Sequence, residues 1–245
     1  MKILFLFFGL ITATNVSAQA TREDAPNFYK SGIFADFNAA TDGSSALFAL
    51  SSKQLFGIGK NRRFKIGYGL RLNHNFGSNA RFTTAPAILT SGGTSPLIFF
   101  NGNDIVANID TLKGTSFSVT SINIPLYLEY AITNKIDVGF NIDLTGLSFG
   151  TAKSVYNTIH STSANRGNIS AKATPFNLLL VSDNDLGSLN SEFVVRYHLN
   201  NKLIMTGGAS FAFAEVTTSS KLYLDNDRFR KKQLLGMIGV SYRFR

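Results

Sequence analysis

The chain has 245 residues, no Cys and no Trp, 44% hydrophobic and 12% aromatic residues, and a formal net charge of +9. Without cysteine, disulfide staples and thiol chemistry are excluded. The basic balance comes without a basic helix or interleaved aromatic and basic residues, so nucleic acid is not an expected partner.

In chain order, Met1-Lys2 supplies a positive start and Ile3 to Ile11 is apolar apart from Gly9. Val16-Ser17-Ala18 then offers the small residues that a signal peptidase reads. Residues 1–18 read as a cleaved signal peptide, because the apolar run is too short to span a bilayer. Gln19 follows the cut, so no cysteine is there to carry a lipid anchor. Residues 19–29 form a short N-terminal segment, and 30–245 form one all-β domain. The mature chain has no apolar run of about 18 residues, so any membrane crossing must be made by a closed barrel of strands.

From residue 29 onward the hydrophobic period is two. Two weaker strands come first, over 30–39 and 45–56. Phe64, Ile66, Tyr68, Leu70 and Leu72 then oppose Lys65 and Arg71. Ile122 to Tyr130 opposes Asn123 to Glu129, and Ile136 to Leu144 opposes Asp137 to Asp143. Phe193, Val195 and Tyr197 oppose Glu192 and Arg196. Leu203 to Phe213 follows, and the last strand, 232–245, sets Leu234, Ile238, Val240, Tyr242 and Phe244 against Arg243. Short polar turns at 59–62, 133–135 and 200–201 alternate with connections at 40–44, 77–114, 150–187 and 215–231. Tight turns on one side and longer loops on the other fit an antiparallel transmembrane barrel of eight strands. Ten are reached if the apolar runs Pro96–Phe100 and Phe176–Val181 add a pair. A soluble sandwich also alternates, with the charged face outward. The placement of Tyr130, Tyr197, Tyr242 and Phe244 at strand ends near the tight turns, as in a membrane girdle, favours the transmembrane barrel.

The segment Ile122-Asn123-Ile124-Pro125-Leu126-Tyr127-Leu128-Glu129-Tyr130, its turn and the closing Gly239-Val240-Ser241-Tyr242-Arg243-Phe244 resemble the outer-membrane β-barrel domain proteins of Gram-negative bacteria, a small OmpA-barrel-like or porin-like group. The resemblance implies residence in the cell outer membrane. It also implies that Tyr242 and Phe244 act as the signal read by the barrel-assembly machinery. Arg245 after Phe244 departs from that pattern.

With polar faces inward, Lys65, Arg71, Arg196 and Arg243 meet Glu129, Asp137, Asp143 and Glu192 in a lumen just wide enough for side chains. Such charges must pair. The network is then a plug of ion pairs, or alternatively lines a narrow polar pore or proton path. The expected function is that of a non-enzymatic barrel with surface loops for contact or an envelope role. A small porin or transporter is the alternative, and a lipid-modifying enzyme a remoter one. His160 shares a strand face with Thr162 and not with Ser161 or Ser163, and His74 and His198 lack a nucleophile and carboxylate at usable spacing. No cofactor is expected. No metal is expected either, since Asn101–Asp104 and Asp225–Asp227 read as turns. Arg228, Arg230, Lys231 and Lys232 form the one dense basic cluster. It is either a contact for lipopolysaccharide phosphates at the outer rim or a solvated loop. The surface partner is not legible.

Overall fold

A computed structural model describes residues 31–92, 104–156, 167–180 and 184–244. The signal peptide 1–18, the segment 19–29, the run 96–100, His160 with its neighbouring hydroxyls, and Arg245 lie outside the described residues.

Ten strands are described: β1 (Gly32–Thr41), β2 (Ser45–Ile58), β3 (Phe64–Thr84), β4 (Thr111–Ala131), β5 (Ile136–Tyr156), β6 (Gly167–Ala173), β7 (Phe176–Leu178), β8 (Asn190–His198), β9 (Leu203–Thr218) and β10 (Arg228–Arg243). Every pairing is antiparallel. The tight turns are closed by side chains. Thr133 Oγ1 accepts from the backbone N–H groups of Lys135 and Ile136. Asn200 Oδ1 does the same for Lys202 and Leu203, and Asp42 Oδ1 for Ser44 and Ser45. These are the short polar residues that bond their own backbone in turns.

The barrel has two storeys. In the lower one β10, β1, β2, β3, β4, β5, β8 and β9 pair in succession, and β9 returns to β10, closing a ring of eight. The β1–β2 hairpin ends early, at Thr41 and Ser45. Above it β10 meets β3 directly, Phe229 opposite Thr84 and Arg230 opposite Thr83. On the far side β6 stands between β5 and β9. The upper storey is therefore a ring of six: β3, β4, β5, β6, β9 and β10.

The sixth wall position is built from three pieces. β6 and β7 share one register on β5, Thr151 opposite Lys172 and Thr145 opposite Leu178. β8 resumes the ladder with Ile142 opposite Ser191. Between those pairs the chain departs from the β5 ladder, and the described residues of this segment are pinned by the Leu178–Leu186 bridge. Gly187 closes it at φ +77, where a Cβ would stand 2.3 Å from the Phe176 carbonyl oxygen. Only glycine fits so close an approach in that conformation. The run from Phe176 thus enters the wall, without adding a strand to the lower ring.

The strands also outrun the sequence-based expectation: β3 reaches Thr84, β4 starts at Thr111 and β5 reaches Tyr156, so the long connections are shorter than 77–114 and 150–187. The cause is a change of phase. Asn79 adopts φ +49, and register shifts fall between Gly114 and Ser116 and between Ile124 and Pro125. Each resets which parity faces inward, so a single period-two reading fails across it.

Candidate functional site

In the lower storey the charged faces point inward and the apolar faces outward. Phe37, Leu50, Leu72, Ile124, Phe140, Val195, Met205, Leu234, Ile238 and Val240 are exposed, Ile238 to 73%. Tyr130, Tyr197, Tyr242 and Phe244 are exposed at the turn end of this belt, and the Tyr242 and Phe244 rings meet edge to face with centroids 5.1 Å apart.

Inside, β1, β2, β3, β4, β5 and β8 each contribute charges to a network of three neighbouring ion-pair groups. Lys53 Nζ lies 2.9 Å from Asp36 and 2.8 Å from Glu129. Arg196 binds the same two carboxylates at 3.1 and 3.4 Å. Nearer the turn end, Asp137 Oδ2 receives Lys65 at 2.9 Å and His198 Nε2 at 2.9 Å. Nearer the loop end, Arg71 reaches Asp143 at 3.3 Å and Glu192 at 3.6 Å, and donates to Asn141. Above Arg71, Asn123 donates to Asp143 at 2.7 Å and accepts from Asn177 of β7 at 2.7 Å. Tyr127 sits in the middle, its ring 5.0 Å from Lys53 Nζ and 5.6 Å from the Arg71 guanidinium. Arg71, Lys53 and Asp143 are each 0% exposed. A water-sized sphere does not reach these three side chains. Charges so placed must be paired and hydrogen-bonded, and networks of this kind strengthen their members mutually.

The sequence-predicted residues divide accordingly. Lys65, Arg71, Glu129, Asp137, Asp143, Glu192 and Arg196 are brought together. Arg243 is not in this layer. It is the last residue of β10, half-buried at the turn-end rim, 5.9 Å over the Phe34 ring and donating to the Ser31 carbonyl at 3.3 Å. The strand runs out before Arg243 can reach the central carboxylates. Two members were missed, Asp36 and Lys53. The signal was present: Phe34, Asp36, Asn38 and Ala40 share one face of β1, opposite the apolar Ile33, Ala35, Phe37 and Ala39.

Toward the loop end of the barrel the polarity reverses. The interior is apolar, packed from Ala80, Phe82, Leu112, Phe117, Ala214, Val216 and Phe229, with Phe82 and Phe117 edge to face at 5.7 Å. Arg81, Lys113, Thr151, Lys153 and Lys172 face outward and are exposed.

The expected four-residue basic cluster is not one surface. Arg228 Nε and Arg230 Nη2 each lie 2.8 Å from Glu215, and Arg230 is 2% exposed and donates to the Asp185 carbonyl. Lys231 faces the opposite way, its Nζ 2.7 Å from Ser45 Oγ. Lys232 alone is exposed. Strand alternation separates neighbours that look contiguous in sequence. Of the histidines, His198 belongs to the network. His74 is mid-strand and half-buried on the outer face, its Nδ1 2.9 Å from Thr120 Oγ1. No group of three or more His, Cys, Asp or Glu side chains placed to hold a metal occurs among the described residues. Nor is any described helix long and apolar enough to cross a membrane.

The chain is an all-β, antiparallel closed barrel. No protein-family profile and no curated protein matches it. Among solved structures, Ail, the attachment invasion locus protein of Yersinia pestis, in complex with the heparin analogue sucrose octasulfate, aligns at 13% identity and TM-score 0.36, over 87% of this chain and 98% of Ail. Neisserial surface protein A aligns at 9% identity and TM-score 0.38, over 87% and 96%. The N-terminal β-barrel domain of Pseudomonas aeruginosa OprF aligns at 11% identity and TM-score 0.33, over 87% and 96%. Scores this low transfer nothing from those proteins, and the barrel is read from its own strand pairing.

Proposed function

We propose that this chain is an integral barrel of the bacterial outer membrane, without enzymatic activity, whose lumen is plugged by its own ion pairs. Its role is then carried by the upper storey and loops, as a contact or structural element of the envelope. The observation that carries this reading is the polarity of the lower ring. An apolar belt outside and paired charges inside suit a barrel standing in lipid, where a closed ring leaves no backbone group unsatisfied. A water-soluble barrel would have the reverse arrangement, which begins where the strands rise past the belt. Tyr242 and Phe244, outward at the end of β10, suit recognition by the barrel-assembly machinery.

The plug is supported by the central layer, where Lys53, Arg71 and Arg196 are buried and each lies against a buried carboxylate. An eight-stranded ring has an interior that side chains fill. The test combines location with conductance. Full-length protein made in a Gram-negative host is expected in the outer-membrane fraction, with a gel mobility that shifts on boiling. Inserted in planar bilayers, it is expected to stay silent. Reproducible single-channel steps would replace the plug with a transporter; a soluble, unshifted protein would end the membrane reading altogether.

A further inference from the structure

A cavity opens at the seam where β10 meets β3 in the upper storey, with a volume of about 100 Å³, room for several water molecules. Thr83, Thr84, Thr90, Asp104, Arg230 and Lys232 are in its lining. Three features of this lining point to an anion. It carries two cations to one acid. Arg230 spends its Nε and Nη2 on Glu215, while its buried Nη1 finds no acceptor among the described residues. The Thr83 and Thr90 hydroxyls donate to backbone carbonyls only at 3.4 Å, long enough to be given up for a better acceptor. A guanidinium whose Nη1 lacks an acceptor among the described residues, an ammonium and two weakly bonded hydroxyls are donors of the kind that a tetrahedral oxyanion takes.

The cavity's height says where such an anion comes from. Lys232 stands two residues above Leu234 on the same face of β10, and Leu234 is 69% exposed in the apolar belt. Four other strands of the upper ring carry the same sign at this boundary, while the β1–β2 tip carries the exposed Asp42. The first outward charge above the belt is Arg81 on β3, Lys113 on β4, Lys153 on β5 and Lys172 on β6. On β9 it is Glu215, already held by Arg228 and Arg230. A cationic collar directly above an apolar belt faces the head-group layer, where anionic phosphates sit.

We propose that the β3–β10 seam cavity binds a phosphate group, supplied by an anionic lipid headgroup of the outer leaflet, with Arg230 and Lys232 as its charge partners and Thr83 and Thr90 as hydroxyl donors. The lipid source rests on the membrane reading above; the phosphate chemistry does not.

The test uses the full chain folded in a neutral maltoside detergent, titrated with bisphosphorylated lipid A, with the same lipid dephosphorylated, and with inorganic phosphate, followed by phosphorus NMR and by the midpoint of the heat-induced mobility shift. The expected result is binding that requires phosphate and falls about tenfold in Lys232→Gln and in the Thr83→Val/Thr90→Val pair. Lys153→Gln, on the collar but outside the cavity, should leave it unchanged. Binding of inorganic phosphate but not lipid A, lost in the same variants, supports the phosphate site with a soluble source. Equal binding of dephosphorylated lipid, or equal losses in Lys153→Gln and the cavity variants, overturns the proposal. Retained heat modifiability in every variant shows that the barrel is intact, so this failure is distinguishable from failure of the membrane reading.

Discussion

The two storeys share β3, β4, β5, β9 and β10, yet they invert each other. Below Asn79 and the β4 and β5 register shifts, apolar side chains face out and Arg71, Lys53 and Glu129 face in. Above them, Phe82, Leu112 and Phe229 face in and Arg81, Lys113 and Lys153 face out. Backbone pairing is the same in kind, so what differs is the environment each outer face answers to. The lesson is that charge pairing in the lower lumen is a consequence of where the apolar faces had to go. With the outer surface given to hydrocarbon, the polar residues of each strand have only one another.

The largest effect expected from breaking that contrast lies in the lower lumen. Arg71→Met strands Asp143 and Glu192 inside the barrel and should cost about 3–5 kcal/mol, read as a loss of the heat-resistant folded band at lower temperature. Neutralising all three, with Asp143→Asn and Glu192→Gln added, should return much of that stability, because the buried charges go together. In the upper storey Phe82→Ala should cost a similar ~3–5 kcal/mol, but by leaving a cavity. No second-site charge change should rescue it, and that difference separates the two interiors. On the outer faces, Ile238→Lys in the belt should cost about 2–4 kcal/mol in lipid. Lys113→Leu above the belt should fall within about 0.5 kcal/mol.

The smallest expected effect is at the β1–β2 hairpin tip, just where the storeys meet. Burial pushes the Asp42 carboxyl up, but hydrogen bonds from Ser44 and Ser45 together outweigh it and hold the group below its ordinary value. A carboxyl lowered on folding contributes stability above its unfolded value of about 3.9, and loses it as the pH falls through the folded value. Asp42→Ala should therefore be slightly less stable than wild type at pH 6, with the gap in unfolding midpoint closing toward pH 3.

The lower storey was legible because its alternation is uninterrupted: Lys65 to Arg71 on β3 and Glu192 to Arg196 on β8 keep one phase and one sense of polarity. The upper storey was not. Its inward residues include Ala80, Ala152, Ala171 and Ala214, which carry little hydrophobic signal. Its phase moves at Asn79 and at the shifts of β4 and β5, so residues that continue the strands looked like loop. The network was read in part for a related reason. Asp36 and Lys53 lie on strands whose outward faces include Ala35, Ala39 and Ser52, too weakly apolar to advertise an inside. The basic run 228–232 misled in the opposite direction. Its density suggested one surface, while the alternation that breaks it up, and the Glu215 opposite Arg230 on β9, become evident only with register in hand.

The central claim, that one line around the barrel divides lipid-facing from water-facing walls, can be measured directly because the chain has no native cysteine. Single cysteines carrying a nitroxide at Ile238, Val195 and Leu72, and at Lys113, Thr151 and Lys172, can be compared in bilayers for relaxation by oxygen and by a water-soluble nickel chelate. The account predicts that the first three are relaxed by oxygen and shielded from nickel, and that the last three show the reverse. Equal nickel accessibility at both sets would contradict it.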